Sequence, residues 1–113
     1  FKVAYTSENA PEVIVEKALK EGLAKVFVCT EPEDTIKVMN VLIDYNRIKD
    51  VALIGSGNTP AVIEGVDKGL IEASIHVDFY AMGREAMALM TKLVNEDAPT
   101  AYQLMPIDVI EGP

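Results

Sequence analysis

The chain has one cysteine, one histidine and no tryptophan among its 113 residues. A single cysteine, Cys29, excludes an internal disulfide, and its position in the apolar run AKVFVCT favours a small buried hydrophobe. A single histidine, His76, would leave any transition-metal site dependent on carboxylates from several loops. We therefore expect no metal centre, no cofactor and no disulfide framework.

Basic residues are also scarce, since 10 Lys and Arg stand against 18 Asp and Glu, a formal net charge of −8. This balance repels a phosphate backbone, so we expect no direct contact with nucleic acid. No apolar run approaches the roughly 18 residues that cross a bilayer, and no basic segment followed by an apolar one opens the chain. We expect no membrane insertion, and the lone thiol and the lack of an export signal favour a cytoplasmic location over a periplasmic or cell-surface one.

Half of the residues are apolar, which suffices for one modest core. Short β-branched runs alternate with segments of helical period. The predicted strands are KVAY, KVFVC, VALIG, EASIHV and AYQLMPIDVI, and the predicted helices span about 10–22, 33–46, 60–70 and 79–95. This order predicts an α/β fold, three-layer and doubly wound, with a mostly parallel sheet in a single lobe, residues 1–113.

Three predicted strand-to-helix junctions share one pattern, a capping residue followed two positions later by proline. They are NAPE from Asn9, TEPE from Thr30 and NTPA from Asn58. Asn or Thr can accept the free N–H groups of a first helical turn, and proline is harmless there because its missing N–H would have no partner. Glu12 and Glu33 complete capping-box spacing. All three junctions are expected at the carboxyl edge of the sheet.

The stretch IGSGNTP, Ile54 to Pro60, has the paired glycines of a dinucleotide-binding loop. Such a loop requires a third small residue where Pro60 stands, and no Gly-Lys-Ser/Thr sequence follows, so a Walker loop is excluded as well. The glycines are better explained by a tight turn at a strand end, where open parallel sheets place their ligands.

Catalysis by a nucleophile would need a base within hydrogen-bond reach, and the candidates are Ser56 or Cys29 with His76. No nucleophile-elbow sequence surrounds Ser56, Cys29 lies in an apolar run, and His76 is most simply a strand-end residue. The acidic cluster after the second strand has the simpler explanation of favourable charge at a helix start. We predict no catalytic residues and no enzymatic activity.

The run IKDVALIGSGNTPAVIEGVDKGLIEASIHVDFYAMGREAMAL, from Ile48 to Leu89, resembles the C-terminal lobe of type I periplasmic sugar-binding proteins and of LacI-type transcriptional regulators. The marks are a strand ending in glycine, a Thr-Pro helix start, the segment GVDKGLIEASI and the helix opening DFYAMGREA. The resemblance implies the C-terminal half of a two-lobed module that closes on a small ligand between the carboxyl edges of its sheets, the N-terminal lobe being missing from this chain.

The resemblance implies an effector-sensing lobe of a LacI-type regulator, with a small polar, sugar-like ligand. The alternative is a solute-binding protein of a sugar ABC transporter, and a small α/β enzyme is a distant third. Three strand-end positions contact the ligand in sugar-binding members, and they fall at Thr30, Gly57 and Val77, where the family tends to carry Asn, Asp and Gln. Nearby polar groups that could supply the hydrogen bonds instead are Glu31, Ser56, Asn58 and His76.

The last predicted helix carries six large apolar residues, too many for one narrow stripe: Phe79, Tyr80, Met82, Met87, Met90 and Leu93. In the two-lobed family the helix that follows the SIHVD strand belongs to the other lobe. Without that lobe, we expect the helix at 79–95 either to fold back on this lobe or to be exchanged between two copies, giving a homodimer.

Overall fold

The computed structural model of the protein describes residues 2–22, 24–95 and 107–112. The elements in chain order are α1 Pro11–Glu21, β1 Val26–Val28, α2 Pro32–Asp44, β2 Ala52–Ser56, α3 Pro60–Asp67, β3 Ala73–Val77, α4 Phe79–Val94 and β4 Ile107–Glu111. All four predicted helices are present, each within a few residues of its predicted ends. Of the last predicted strand, the part from residue 107 onward is confirmed and the rest lies outside the described residues.

The strands form one sheet in the order β1-β2-β3-β4. β1, β2 and β3 run parallel, whereas β4 is antiparallel to β3. The predicted α/β class with a mostly parallel sheet is confirmed. Because Val77 pairs with Ile107, β4 begins at the same edge of the sheet at which β3 ends.

Helices α1, α2 and α3 pack on one face of this sheet. Parallel strands joined in one direction along a sheet by right-handed crossovers place their helices on the same face. Alternate strand residues, such as Phe27, Leu53 and Ile110, point into that layer. The buried cluster is continuous and consists of Val15, Leu19, Val38, Val41, Leu42, Val51, Leu53, Val62, Val66 and Ile71.

No described helix packs closely on the opposite face of the sheet, which we call the open face. Its strand residues are mostly apolar, and many of them are exposed: Val28 by 66%, Val109 by 58% and Ile75 by 43%. The large apolar residues of the open face are Val26, Val28, Ile54, Ile75, Val77, Ile107 and Val109, and the polar Ser56 and Glu111 lie on the same face.

The prediction of a strand at Lys2–Tyr5 is wrong for this structure. The segment is described but unpaired, and the side chains of Val3 and Tyr5 are 58% and 63% exposed. A strand requires a neighbour for its backbone N–H and C=O groups. Lys2–Tyr5 has no such neighbour among the described residues, although its alternating apolar pattern suits one.

The predicted capping residues are wrong by one position at each junction. The N-caps are Ala10, Glu31 and Thr59, and each is followed directly by the proline that opens the helix. Proline at the first helical position fixes the cap at the residue before it. Only Thr59 among these three caps with its side chain, since its Oγ1 accepts the Val62 N–H at 3.4 Å. The capping boxes predicted with Glu12 and Glu33 therefore do not form.

Helix α4 projects from the rest of the fold instead of packing on it. It starts one residue after β3, with Asp78 Oδ1 accepting the Ala81 N–H at 2.9 Å, and Ala81 is its one buried residue. The radius of gyration is 18.0 Å, against about 13 Å for a compact chain of similar length. The fold-back predicted for α4 is therefore not what the structure shows.

The described part of the chain has no helix long and apolar enough to cross a membrane.

Candidate functional site

Three strand-to-helix junctions of the structure meet at the carboxyl edge of the sheet. Two of them are the predicted junctions at Thr30 and Asn58, the third is at Asp78, and the predicted junction at Asn9 follows no strand among the described residues. β1 continues into α2 through 29–31, β2 into α3 through 57–59, and β3 into α4 through Asp78 alone. Because the three strands are parallel neighbours, their ends lie side by side. The structure thus brings all seven predicted ligand-binding residues to one edge.

Two serine hydroxyls bond these junctions to the neighbouring strands. Ser56 Oγ donates to the carbonyl of Cys29 at 2.7 Å, and Ser74 Oγ donates to the carbonyl of Gly57 at 2.6 Å. The hydroxyl proton of Ser56 is therefore committed within the protein, and its oxygen retains only acceptor capacity for a ligand. The role that best fits Ser56 is to hold the edge in shape.

Thr35 on α2 is fully buried and holds the same region in place from the helix-covered face of the sheet. Its Oγ1 donates to the Glu31 carbonyl at 2.8 Å and accepts the Ser56 N–H at 3.2 Å. Its methyl group lies against Gly55, where a side chain would collide with it. The first turn of α2 is thereby bonded directly to the end of β2.

Gly57 has a local structural reason to be glycine. Its φ is +89°, and a Cβ built there would lie 2.5 Å from Cγ of Pro32. Its N–H donates to the Ile75 carbonyl at 2.9 Å, so the backbone stays bonded to β3. The polar side chain that the family tends to carry at this position cannot be accommodated on this backbone.

Thr30 and Asn58 are exposed and free to meet a ligand. Since the caps are Glu31 and Thr59, neither Thr30 nor Asn58 is occupied at a helix start. Within the described residues neither side chain makes a hydrogen bond, and both are exposed. A threonine hydroxyl and an asparagine amide offer donors and acceptors that suit sugar hydroxyls. The Glu31 carboxylate, which makes no capping bond, adds an acceptor beside them.

His76 and Val77 reach the edge on opposite sides of the sheet. Val77 lies on the open face, whereas His76 lies on the helix-covered face and meets the Phe79 ring edge-on, with centroids 6.2 Å apart. Ser56 also lies on the open face, so a Ser56–His76 nucleophile–base pair is not formed. The described residues hold no cluster of three side chains suited to a metal ion.

Burial raises the pKa of the Cys29 thiol to about 11, and the charge of Asp34 adds to the effect. At pH 8 such a thiol carries about 100-fold less thiolate than one with the ordinary value of 9.0. We expect alkylation by iodoacetamide at pH 8 to be at least that much slower in the folded protein than in urea, as measured by mass spectrometry. Equal rates in both states would show that the thiol is neither buried nor shifted.

A shallow depression of about 500 Å³ lies at the same edge, between the segment before α1 and the first turns of α2. Polar groups of Thr6, Ser7 and Asn9 line it, together with Asp34 and Lys37. Lys37 Nζ lies 3.1 Å from Glu33 Oε1, and the Glu33 carboxylate raises the pKa of Lys37. None of these lining residues is among the predicted ligand-binding residues, although Asn9 opens the first predicted strand-to-helix junction, NAPE.

Comparisons with known proteins bear on the fold. No protein-family model matches the chain, and no curated protein matches it. Among solved structures, GanP, a glucose-galactose binding protein from Geobacillus stearothermophilus, is similar at 24% identity with a TM-score of 0.82, over 90% of this chain and 37% of that one.

Two ABC transporter solute-binding proteins are also similar. One, from Agrobacterium vitis with bound D-fucose, has 16% identity and a TM-score of 0.81, over 98% of this chain and 39% of its own. The other, from Actinobacillus succinogenes with bound D-allose, has 14% identity and a TM-score of 0.80, over 90% and 36%. The chain therefore has the fold of part of a periplasmic sugar-binding protein, and spans less than half the length of these neighbours.

Proposed function

We propose that the chain is one lobe of a solute-binding protein of a sugar transporter, with the ligand held between its carboxyl edge and a second lobe. One observation carries the proposal: the chain leaves the sheet at Val77 and returns at Ile107, residues paired across β3 and β4. The excursion between them starts from the edge where the exposed polar groups gather. Two adjacent chain segments that leave and re-enter the sheet at this edge suit a hinge about which a second lobe closes on a ligand.

The chemistry of the edge suits a ligand rich in hydroxyl groups. Thr30 and Asn58 offer unoccupied polar side chains, Glu31 offers a carboxylate, and Thr6 and Asn9 extend the polar rim. Lobe closure would exclude water from these groups and strengthen their hydrogen bonds to the ligand. The bridges from Ser56 and Ser74 hold the edge in one shape, which lowers the entropy lost on binding.

The transport receptor replaces the regulator expected from the sequence as the leading function. The similar structures GanP and the two transporter proteins are sugar-binding or solute-binding proteins, and no feature of the described residues favours a regulator over them. A periplasmic or cell-surface location goes with this function. In it, the exposed apolar side of α4 packs against the second lobe, and the homodimer through 79–95 stays a prediction for the isolated chain.

The test is ligand binding by the protein carrying both lobes, measured as thermal shift and by calorimetry with D-glucose, D-galactose, D-fucose and D-allose, and with amino acids and nucleosides for comparison. We expect a saturable shift with sugars. Asn58→Ala should weaken binding by about 10-fold or more, because a hydrogen bond in a closed site contributes roughly 1.4 kcal/mol.

The matched control is Asn40→Ala, which removes an exposed asparagine from the middle of α2, away from the carboxyl edge. It should leave sugar affinity unchanged. A shift with amino acids or nucleosides but no sugar would contradict the proposed ligand class. If the Asn58→Ala and unsubstituted proteins bind the sugar with equal affinity, Asn58 does not contact the ligand.

A further inference from the structure

The backbone ladder between β1 and β2 stops one step before the carboxyl edge of the sheet. Ala52 N–H donates to the Lys25 carbonyl at 3.0 Å. Further along the same pair, Cys29 N–H donates to the Ile54 carbonyl at 2.9 Å. These bonds repeat every two residues along parallel strands, so the next one in this register would join Ser56 N–H to the Cys29 carbonyl. That backbone bond is not among those of the described residues.

Two side-chain hydroxyls take the place of the missing backbone bond. Ser56 N–H donates to Thr35 Oγ1 at 3.2 Å, and the Ser56 hydroxyl donates to the Cys29 carbonyl at 2.7 Å. A side chain now stands between the two backbone groups that the ladder would bring together. The strand ends are thereby held apart at the point from which Thr30 and Asn58 follow.

Thr35 does more here than threonine usually does inside a helix. A threonine hydroxyl often donates to the carbonyl four residues earlier, here that of Glu31 at 2.8 Å, and this bond needs no functional explanation. The local bond does not account for the strand N–H that Thr35 accepts from 21 residues away, or for its 0% exposure. It also does not account for Gly55, whose lack of a Cβ leaves room for the Thr35 methyl group. Thr35 therefore acts on β2 as well as on its own helix.

We propose that Thr35 is a positioning residue of the ligand site, whose hydroxyl keeps the β1–β2 ladder from closing and so sets the spacing between Thr30 and Asn58. This inference rests on the proposed function, in which those two side chains contact the ligand. Without the hydroxyl, Ser56 N–H either stays unpaired, which loosens the junction, or turns to the Cys29 carbonyl, which draws the strand ends together. Each outcome moves Thr30 relative to Asn58, although Thr35 itself is fully buried.

The test is a double-mutant cycle on sugar affinity, measured by calorimetry on the protein carrying both lobes. The probe is whichever of D-glucose, D-galactose, D-fucose and D-allose gives the largest thermal shift. Thr35→Val keeps the shape of the side chain and removes its hydroxyl, and it should weaken binding by about 10-fold. Adding Thr35→Val to Asn58→Ala should cost little more than Asn58→Ala alone, because the spacing matters only while both contacts exist. Additive losses would overturn the proposal.

Two further variants separate positioning from a general loss of stability. Thr35→Ser keeps the hydroxyl and should regain most of the affinity that Thr35→Val loses. Val38→Ala opens the core one turn further along α2, at a valine 3% exposed, so it should lower Tm and leave sugar affinity unchanged. If Val38→Ala weakens sugar binding as much as Thr35→Val does, the effect of Thr35 comes from stability and the proposal is wrong.

A measurement without ligand separates this inference from the proposed function. In proton–nitrogen correlation spectra of the 113-residue chain, Thr35→Val should shift the amide resonances of Thr30 and Asn58, and Thr35→Ser should largely restore them. Unmoved resonances would overturn the role of Thr35 whatever the protein binds. Resonances that move in a protein that binds no sugar would contradict the proposed function and still support the control of spacing by Thr35.

Discussion

Gly57→Ala is expected to lower the free energy of unfolding by about 2–5 kcal/mol. An L residue in the left-handed region costs roughly 1–2 kcal/mol, and forcing extra volume into a packed contact costs about 1–3 kcal/mol more. Both apply here, since φ is +89° and the new Cβ would lie 2.5 Å from the Pro32 ring. Urea unfolding followed by circular dichroism measures the difference.

Gly69→Ala is the matched control for this substitution. Gly69 has a φ of +75°, but a Cβ there would meet nothing within 4 Å. It should therefore cost only the backbone strain, about 1–2 kcal/mol. Equal losses for the two variants would show that Pro32 moves aside freely and that the carboxyl edge is softer than its hydrogen bonds indicate.

The same contact explains why position 57 lacks the polar side chain that the resemblance to sugar-binding proteins implies. Pro32 opens α2, and its ring takes the space that a side chain at position 57 would need. In the proposed function, recognition would then depend on residues beside the strand ends, above all Thr30 and Asn58. A position-by-position transfer from the family would miss this, because the obstruction comes from a different junction of the fold.

Much of the fold could be predicted because its signals are local. The helical period and the prolines at Pro11, Pro32 and Pro60 locate the starts of α1, α2 and α3 within one residue of the predictions. In the strand EASIHV, His76 lies on the face opposite Ile75 and Val77, as the alternation of side chains along a strand requires. Periodicity of this kind depends only on which side of an element is buried.

The remaining features depend on contacts distant in sequence. The bond from Ser56 to the Cys29 carbonyl requires the register between β1 and β2, which no local pattern reports. Lys2–Tyr5 has strand composition but lacks a neighbour, and composition cannot supply one. The capping prediction failed for a local reason, since proline at the first helical position assigns the cap to Thr59 and leaves Asn58 free.

Leu42→Ala is expected to cost about 2–5 kcal/mol of unfolding free energy, the usual range for a fully buried leucine. Leu42 is 0% exposed and belongs to the cluster between α1, α2, α3 and the sheet. Among the described residues one helical layer packs on the sheet, so that cluster supplies most of their apolar burial. A loss of this size is a large fraction of the 5–15 kcal/mol typical of whole domains.

Ile43→Ala is the control, because it removes the same number of carbon atoms from a neighbouring residue that is 42% exposed. It should cost less than about 1.5 kcal/mol, since much of that side chain already meets water. Both variants are measured by urea unfolding of the 113-residue chain. If the two losses are equal, Leu42 does not pack between α2 and the sheet. The assignment of one helix-covered face and one open face to the sheet would then be wrong. A large loss for Leu42→Ala alone places the core on the α1–α3 side and leaves the open face as surface available to a partner.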